Sequence, residues 1–270
     1  MSEWFGDWQL EALIAVGGLG EIWQSTCNGR VVALKRLHSH LVRNAEVRSQ
    51  FSVEQALTTG LPRHANVVHA DEAGEVDGRP YIALDLAPGE DLRRQLHPPP
   101  APGVVHERVA RATVVLPRSR VIAIVTAACD AAAHLHRHGY VHGDINPGNL
   151  VVDDTDQVTL VDLGIVCEVG AAGAVRGTHA YMAPEQVRGE AWTPATDVFA
   201  LAAVLWELVA GARLFHRGPP WLTLAAVVEQ PAPPLEDAAL DAIVQAALIK
   251  DPARRLSSAD ELAARLRALR

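Results

Sequence analysis

The stretch "YVHGDINPGNLVVDD", residues 140–154, sets His142, Asp144 and Asn149 at spacings that suit a phosphoryl-transfer loop, yet Gly143 and Asn146 stand where such loops usually carry positive charge. Three glycines, Gly17, Gly18 and Gly20 in "IAVGGLGEIW", fall between two apolar runs. A glycine-rich hairpin there can bring backbone N–H groups close to phosphate oxygens. A tight hairpin with no ligand would explain those glycines about as well. "VALK" ends an apolar run in Lys35, and a helical pattern further on carries Glu54. Taken singly, a lysine leaving a strand and a glutamate on a helix are most often solvated surface residues.

The elements that must position these groups are legible in outline. Between residues 8 and 37 three β-rich runs, "WQLEALIAV", "EIWQST" and "RVVALKRL", are separated by glycines and by Asn28-Gly29. An Asn-Gly pair between apolar runs is a strong hairpin signal, so three antiparallel strands are expected in order. Residues 44–60 place Val47, Phe51, Glu54 or Gln55, and Thr58 at helical spacing, with Asn44 as N-cap and Gly60 as terminator. A second hairpin is expected around Asp77-Gly78, ending near Asp85. Beyond "APGED" the pattern turns helical, over 118–138, 195–211, 237–250 and 258–270. The proline-rich "HPPPAPGVVHERVARATVV" between Leu96 and Leu116 reads as an exposed insertion, because proline blocks both helix and central strand.

Glycine-rich hairpin, strand lysine, helix glutamate, "HGDINPGN", "VDLG" and "APE" follow one another in the order of the protein-kinase signature set. On these motifs the chain resembles the eukaryotic-type serine/threonine protein kinases, including their bacterial relatives, from about Trp8 to Leu269. The resemblance implies one α+β, bilobal protein kinase domain over 1–270. Its parts would be a small antiparallel-sheet N-lobe with one helix (about 1–85), a hinge (about 85–88) and a larger, mainly helical C-lobe (about 89–270).

Residue by residue, the resemblance implies that Lys35 holds the α- and β-phosphates of ATP and pairs with Glu54. Asn149 and Asp162 would coordinate Mg²⁺, with Mn²⁺ as an alternative ion, and Asp144 would accept the proton of the attacking hydroxyl or orient it. Asn146 and Thr178 complete the implied catalytic set. Nucleotide would lie against Ala15, Val16, Gly17, Gly18, Gly20, Ile22 and Ala33, with Leu84 as gatekeeper and the backbone of Asp85 to Ala87 reading the adenine edge. Asp197 looks like the buried aspartate that braces the catalytic loop, and Glu185 should pair with Arg255. The chemistry is self-consistent: phosphoryl oxygens gather dense negative charge, so metal ions and a lysine must face them while one carboxylate stays available for the nucleophile. Four histidines, His134, His136, His138 and His142, invite a metal reading; the family's helix end and loop account for them better, with His142 as a core residue.

Several positions depart from the family's pattern. Gly143 replaces the arginine that typically pairs with a phosphate on the activation loop, and that loop, residues 165–177, holds no Ser, Thr or Tyr. The two absences together suggest a loop ordered by other means, in a kinase not switched by loop phosphorylation. Asn146 replaces a lysine that contacts the γ-phosphate; exchanging a charge-assisted for a neutral bond is on the order of 1 to 2 kcal/mol, or roughly ten- to thirtyfold in rate. Ala15 for glycine and Leu163 for phenylalanine are mild changes.

The 270 residues, 49% hydrophobic and 21% charged, can bury a core, and a net charge of −8 argues against a partner that presents a phosphate backbone. Cys27, Cys129 and Cys167 lack C-x-x-C spacing, which fits a reducing cytoplasm and neither a disulfide framework nor a zinc site. "MSEWFGDWQL" has no leader pattern, and "VFALAAVLWELVAGARLF" is too short to span a bilayer. The leading expectation is an ATP-dependent kinase acting on Ser/Thr hydroxyls of proteins. A pseudokinase, motivated by Gly143, Asn146 and Ala15, is the alternative, and a small-molecule phosphotransferase, suggested by "HGD" with its asparagine, is a third reading. A regulatory partner, or a homodimer through the small lobe, is expected by family analogy only.

Overall fold

Two residue pairs fix the register of the N-terminal sheet. Asn28 and Gly29 both take positive φ (50° and 78°), as do Asp77 and Gly78 (49° and 78°), the requirement of a two-residue hairpin turn that matches strand twist. The computed structural model describes residues 3–97, 116–173 and 177–270. The insertion expected at 97–115, apart from His97, thus lies outside the described residues, as do residues 174–176. Two compact units emerge, one of 1–88 with 162–164, the other of 89–161 with 165–270.

The first unit is an antiparallel six-stranded sheet. It comprises β1 (Glu3–Phe5), β2 (Trp8–Val16), β3 (Gly20–Cys27), β4 (Arg30–Leu37), β5 (Ala70–Val76) and β6 (Arg79–Asp85), in the order β1-β2-β3-β4-β6-β5. The three expected strands and the second hairpin all form; β1, too short to show periodicity, is additional. Phe5, Trp8, Leu10, Val32, Leu34, Tyr81 and Ala83 make a core on one face, with the Phe5 and Tyr81 rings edge to face at 5.8 Å.

Helix α1 (Ala45–Gly60) starts as expected: the Asn44 side chain accepts a hydrogen bond from the Val47 amide. Its end differs. Gly60 is the last helical residue and does not adopt positive φ; the chain leaves the helix at Leu61 (φ −69°, ψ 140°), the extended conformation imposed on a residue before proline, here Pro62. The buried face of α1 is Phe51, Glu54, Leu57 and Thr58, so a carboxylate sits among two apolar side chains and a threonine whose hydroxyl donates to the Glu54 carbonyl.

Gly20 has a packing role of its own. It lies opposite Leu37 in the β3–β4 pairing, and a Cβ there would overlap the Arg36 carbonyl oxygen, whereas a Cβ on Gly18 meets nothing within 4 Å. Strand packing thus by itself requires glycine at position 20.

The second unit holds β7 (Glu90–Asp91), α2 (Leu92–Leu96), α3 (Arg118–Arg137), β8 (Tyr140–Val141), β9 (Leu150–Val152), β10 (Val158–Leu160), β11 (Cys167–Glu168), α4 (Pro184–Val187), α5 (Pro194–Ala210), α6 (Pro220–Glu229), α7 (Ala238–Ala247) and α8 (Ala259–Arg267). Helix α5 is its axis: every residue from Ala195 to Leu208 is buried. Proline at its first position suits the missing N–H, and Gly211 ends it in the left-handed region (φ 68°). Small pairings, β10-β9-β7 and β11-β8, tie the loops between α2 and α4. The α+β expectation holds: an antiparallel sheet with one α-helix, followed by a mainly helical region.

Gly20→Ala should destabilise the protein by about 1 to 3 kcal/mol through overpacking, while Gly18→Ala stays within about 0.5 kcal/mol of the parent. Denaturant midpoints of the two variants check this; equal midpoints would show that the β3–β4 contact relaxes at no cost.

Candidate active site

Strand β4 carries Lys35 inward. The β-sheet register sets Ala15, Ile22, Lys35 and Ile82 in one row across β2, β3, β4 and β6, and Gln24, Ala33 and Leu84 in the next. Directly paired residues share a face, and Ala33 and Lys35, two apart, share it as well. Ala15 is exposed and Ile22 and Ala33 are half-buried, which leaves an open apolar surface of the kind a planar aromatic ring covers. Val16, Gly17 and Gly18 are exposed at its edge. His38, which the sequence did not single out, approaches the Gly17 carbonyl through Nε2 at 2.9 Å and holds the turn. Leu84 is buried. The Asp85 amide donates to the His69 carbonyl at 2.8 Å, and its half-exposed carboxylate pairs with Arg63 at 2.6 Å. Ala87 is half-buried.

Lys35 is 7% exposed, and its ammonium donates to Glu54 Oε1 at 2.6 Å and to Asp162 Oδ1 at 2.7 Å. Burial alone would push its pKa down, but the charges and hydrogen bonds of Asp162 and Glu54 overcome that and raise it well above the ordinary lysine value. Glu54, 1% exposed, feels the same burial, which pushes its carboxyl up against the pull of Lys35. Asp162 adopts left-handed backbone (φ 64°), keeps 44% of its side chain exposed, and also accepts from the Gly164 amide at 3.4 Å. A Cβ on Gly164 would stand 3.2 Å from Asp162 Oδ1 and 3.3 Å from Glu54 Oε2, a close approach that favours glycine after "DL". Gln50 of α1 donates to the Gly164 carbonyl at 2.9 Å.

The second group is built by Asp197 of α5. Its fully buried carboxylate accepts from the amides of His142 (2.8 Å) and Gly143 (2.9 Å), and His136 Nε2 lies 2.8 Å from Oδ2. Burial would raise this carboxyl, yet His136, His142 and the Gly143 amide hold it below the usual carboxylate range. Gln186, absent from the sequence expectations, donates to the Gly143 carbonyl at 2.8 Å while accepting from the Ala183 amide. Glu185 pairs with Arg255 through bonds of 2.7 and 2.9 Å, both side chains buried, as expected.

So braced, the loop presents Asp144. Its Oδ1 accepts from the Thr178 amide at 2.9 Å and its Oδ2 from Asn149 Nδ2 at 3.2 Å. Gly177 makes this approach feasible, at φ 107° and with a would-be Cβ 2.9 Å from Asp144 Oδ1. Because Asn149 Nδ2 also donates to the Asp144 carbonyl at 2.9 Å, its Oδ1 points the other way and is a hard oxygen donor. An amide oxygen of this kind, like the half-exposed carboxylate of Asp162 in the first unit, is by its type a donor that suits a divalent ion of the Mg²⁺ kind. Among the histidines, His138 Nδ1 lies 2.8 Å from the His134 carbonyl, their rings are 4.6 Å apart, and His142 is fully buried.

Asn146 departs from its expected place against a phosphate. It is 2% exposed, its Nδ2 donates to the Asp144 carbonyl at 3.0 Å, and its Oδ1 accepts from the Gly148 amide at 3.0 Å and from Arg93 Nη2 at 2.6 Å. The amide is turned into the loop, and its short side chain is what allows this. Where Gly143 replaces arginine, the indole of Trp192 fills the space: a Cβ on Gly143 (φ 77°) or on Gly173 would overlap it, and Trp192 is fully buried. Trp192 also bonds the activation segment, accepting from the Gly170 amide at 2.8 Å and donating to the Ala171 carbonyl at 2.9 Å. A tryptophan far along the chain gives no sequence signal for either contact.

The protein kinase domain family matches residues 8–265 of this chain. The chain is 33% identical to serine/threonine-protein kinase PknA of Mycobacterium tuberculosis over 98% of its own length and 62% of that protein. It is 31% identical to a probable serine/threonine-protein kinase PknB of Corynebacterium glutamicum and 32% identical to PknD of M. tuberculosis, in each case over 96% of its own length. It spans 41% and 39% of those two relatives.

The Asp197 carboxylate stabilises the fold fully above the ordinary carboxylate pKa, about 4, and that contribution is lost as pH falls through its lowered folded value. Asp197→Asn should therefore melt lower at pH 7, by on the order of 3 kcal/mol for a broken buried pair, and lose less further stability between about pH 5 and pH 3 than the parent does. Parallel pH–melting curves would show that Asp197 is not the acid-sensitive brace.

Proposed function

We propose that this chain, which belongs to the protein kinase domain family, transfers the γ-phosphate of Mg·ATP to serine or threonine hydroxyls of protein substrates and needs no phosphate on its activation segment. The observation that carries the reading is the ion cluster of Lys35 with Glu54 and Asp162, because a lysine kept charged in a buried place is suited to an anionic ligand. In this reading Lys35 binds the α- and β-phosphates, and Glu54 holds it in position. Asp162 and the Oδ1 of Asn149 would hold Mg²⁺, with Mn²⁺ as an alternative ion, and such an ion supplies charge neutralisation on the phosphoryl oxygens. Asp144, with one oxygen on Thr178 and the other on Asn149, orients the acceptor hydroxyl and takes its proton. The apolar row of Ala15, Ile22 and Ala33 covers the adenine. The free thiols of Cys27, Cys129 and Cys167 accord with a cytoplasmic setting.

Independence from loop phosphorylation rests on Trp192. Residues 165–177 offer no hydroxyl, and the indole occupies the position an arginine side chain at 143 would take. An apolar wedge with two backbone hydrogen bonds replaces a phosphate–arginine pair, and it is present from synthesis onward.

Asp144→Ala should abolish transfer of labelled γ-phosphate to a Ser/Thr-rich protein acceptor; equal transfer by parent and variant would sink the kinase reading. Phosphatase treatment of the parent should leave its rate unchanged, and activation on phosphorylation of Thr178 would count against an unphosphorylated working state. Trp192→Ala should cost about 3 to 5 kcal/mol of stability and lower the rate, read at a temperature where the variant remains folded.

A further inference from the structure

We propose that Arg93 supplies the positive charge that the catalytic loop lacks at position 146, and that Asn146 is the bracket holding it there. The inference rests on the kinase reading above and concerns the same site.

Transfer of a phosphoryl group gathers negative charge beside the catalytic carboxylate, and charge-assisted donors stabilise it about twice as well as neutral ones. The sequence puts an uncharged amide at 146, and the structure removes even that amide from duty, since both its ends are engaged inside the loop. What arrives in its place is a guanidinium. Arg93 stands in the first turn of α2, directly after β7, and β7 pairs with β9, the strand that follows the catalytic loop. That pairing delivers the Arg93 side chain to Asn146, where Nη2 donates to Oδ1 at 2.6 Å. Through the amide the link continues to the Asp144 carbonyl at 3.0 Å, so two hydrogen bonds separate the cation from the backbone of the catalytic aspartate.

Two further observations fit a charge placed on purpose. A Cβ at Gly148 would lie 3.0 Å from Arg93 Cζ and Nη2 and 3.1 Å from Asn146 Oδ1, so glycine in "NPGN" leaves room for the guanidinium. Among the described residues, the buried Arg93 Nε has no hydrogen-bond partner. An unpaired buried donor on a charged group is costly, and a residue that only braced the loop could be a glutamine, which would carry no such cost. Arg93 acts on the reaction through Asn146 and through its field, and is in that sense a positioning residue.

The test is steady-state phosphoryl transfer from Mg·ATP to a Ser/Thr-rich protein by the full chain, comparing the parent with Arg93→Gln, Arg93→Lys, Asn146→Lys and the double variant Arg93→Gln/Asn146→Lys, with melting curves for each. Arg93→Gln should lower kcat about tenfold with KM for ATP unchanged, the size of exchanging a charged for a neutral contact. Arg93→Lys should keep most of the activity, and the double variant should recover most of what Arg93→Gln loses, because the charge returns at 146. Asn146→Lys alone should gain nothing, since it sets two cations against each other and removes the acceptor of the Gly148 amide. Equal losses in Arg93→Lys and Arg93→Gln, no loss in either, or a double variant no better than Arg93→Gln at similar melting temperature would overturn the proposal. A parent no more active than Asp144→Ala would instead overturn the kinase reading, and this inference with it.

Discussion

A carboxylate with no exposure to water, Asp197, decides the conformation on which the second unit's chemistry depends. An isolated buried charge is too costly to keep, so the surrounding groups must answer it, and here they are two consecutive backbone amides and an imidazole. Satisfying both amides from one side chain forces the chain to turn at Gly143, in the left-handed region, and that turn sets Asp144 against Thr178 and Asn149. The anchor itself is immobile because α5 is buried along almost its whole length. Loop geometry is thus inherited from the most rigid helix of the unit.

The first unit solves the opposite problem, a buried cation. Lys35 is kept charged by two carboxylates from distant parts of the chain, one on α1 and one following a left-handed turn at Asp162. Glu54 could not occupy the buried face of α1 without that lysine, and the lysine could not stay ionised without the carboxylates. Each side chain is therefore explicable only by the others, although in sequence each looks like an ordinary surface residue.

This explains what was legible beforehand. Local chemistry spoke plainly: Asn-Gly and Asp-Gly turns, the Asn44 cap and the order of motifs fixed strands, helix and fold class. Asp197, Glu185 and Arg255 were found by resemblance, and the structure pairs them as that resemblance implied. Non-local geometry was silent. Nothing near Gly20 announces the Arg36 carbonyl across the sheet, and Asn146 reads as a lost lysine until Arg93 is seen beside it. The residues missed, His38, Gln50, Arg93, Gln186 and Trp192, share one trait: each acts on a group or a space belonging to a residue at least twenty positions away.

The exchange at Gly143 has an evolutionary side. An arginine restored there would meet an indole already filling its volume and a backbone angle unfavourable to any side chain. A smaller residue in place of Trp192, made first, would open a void beneath a segment it now ties down. Neither step is neutral without the other, so the pair behaves as a ratchet. Exchange of either residue is therefore tolerated only together with a change at the other.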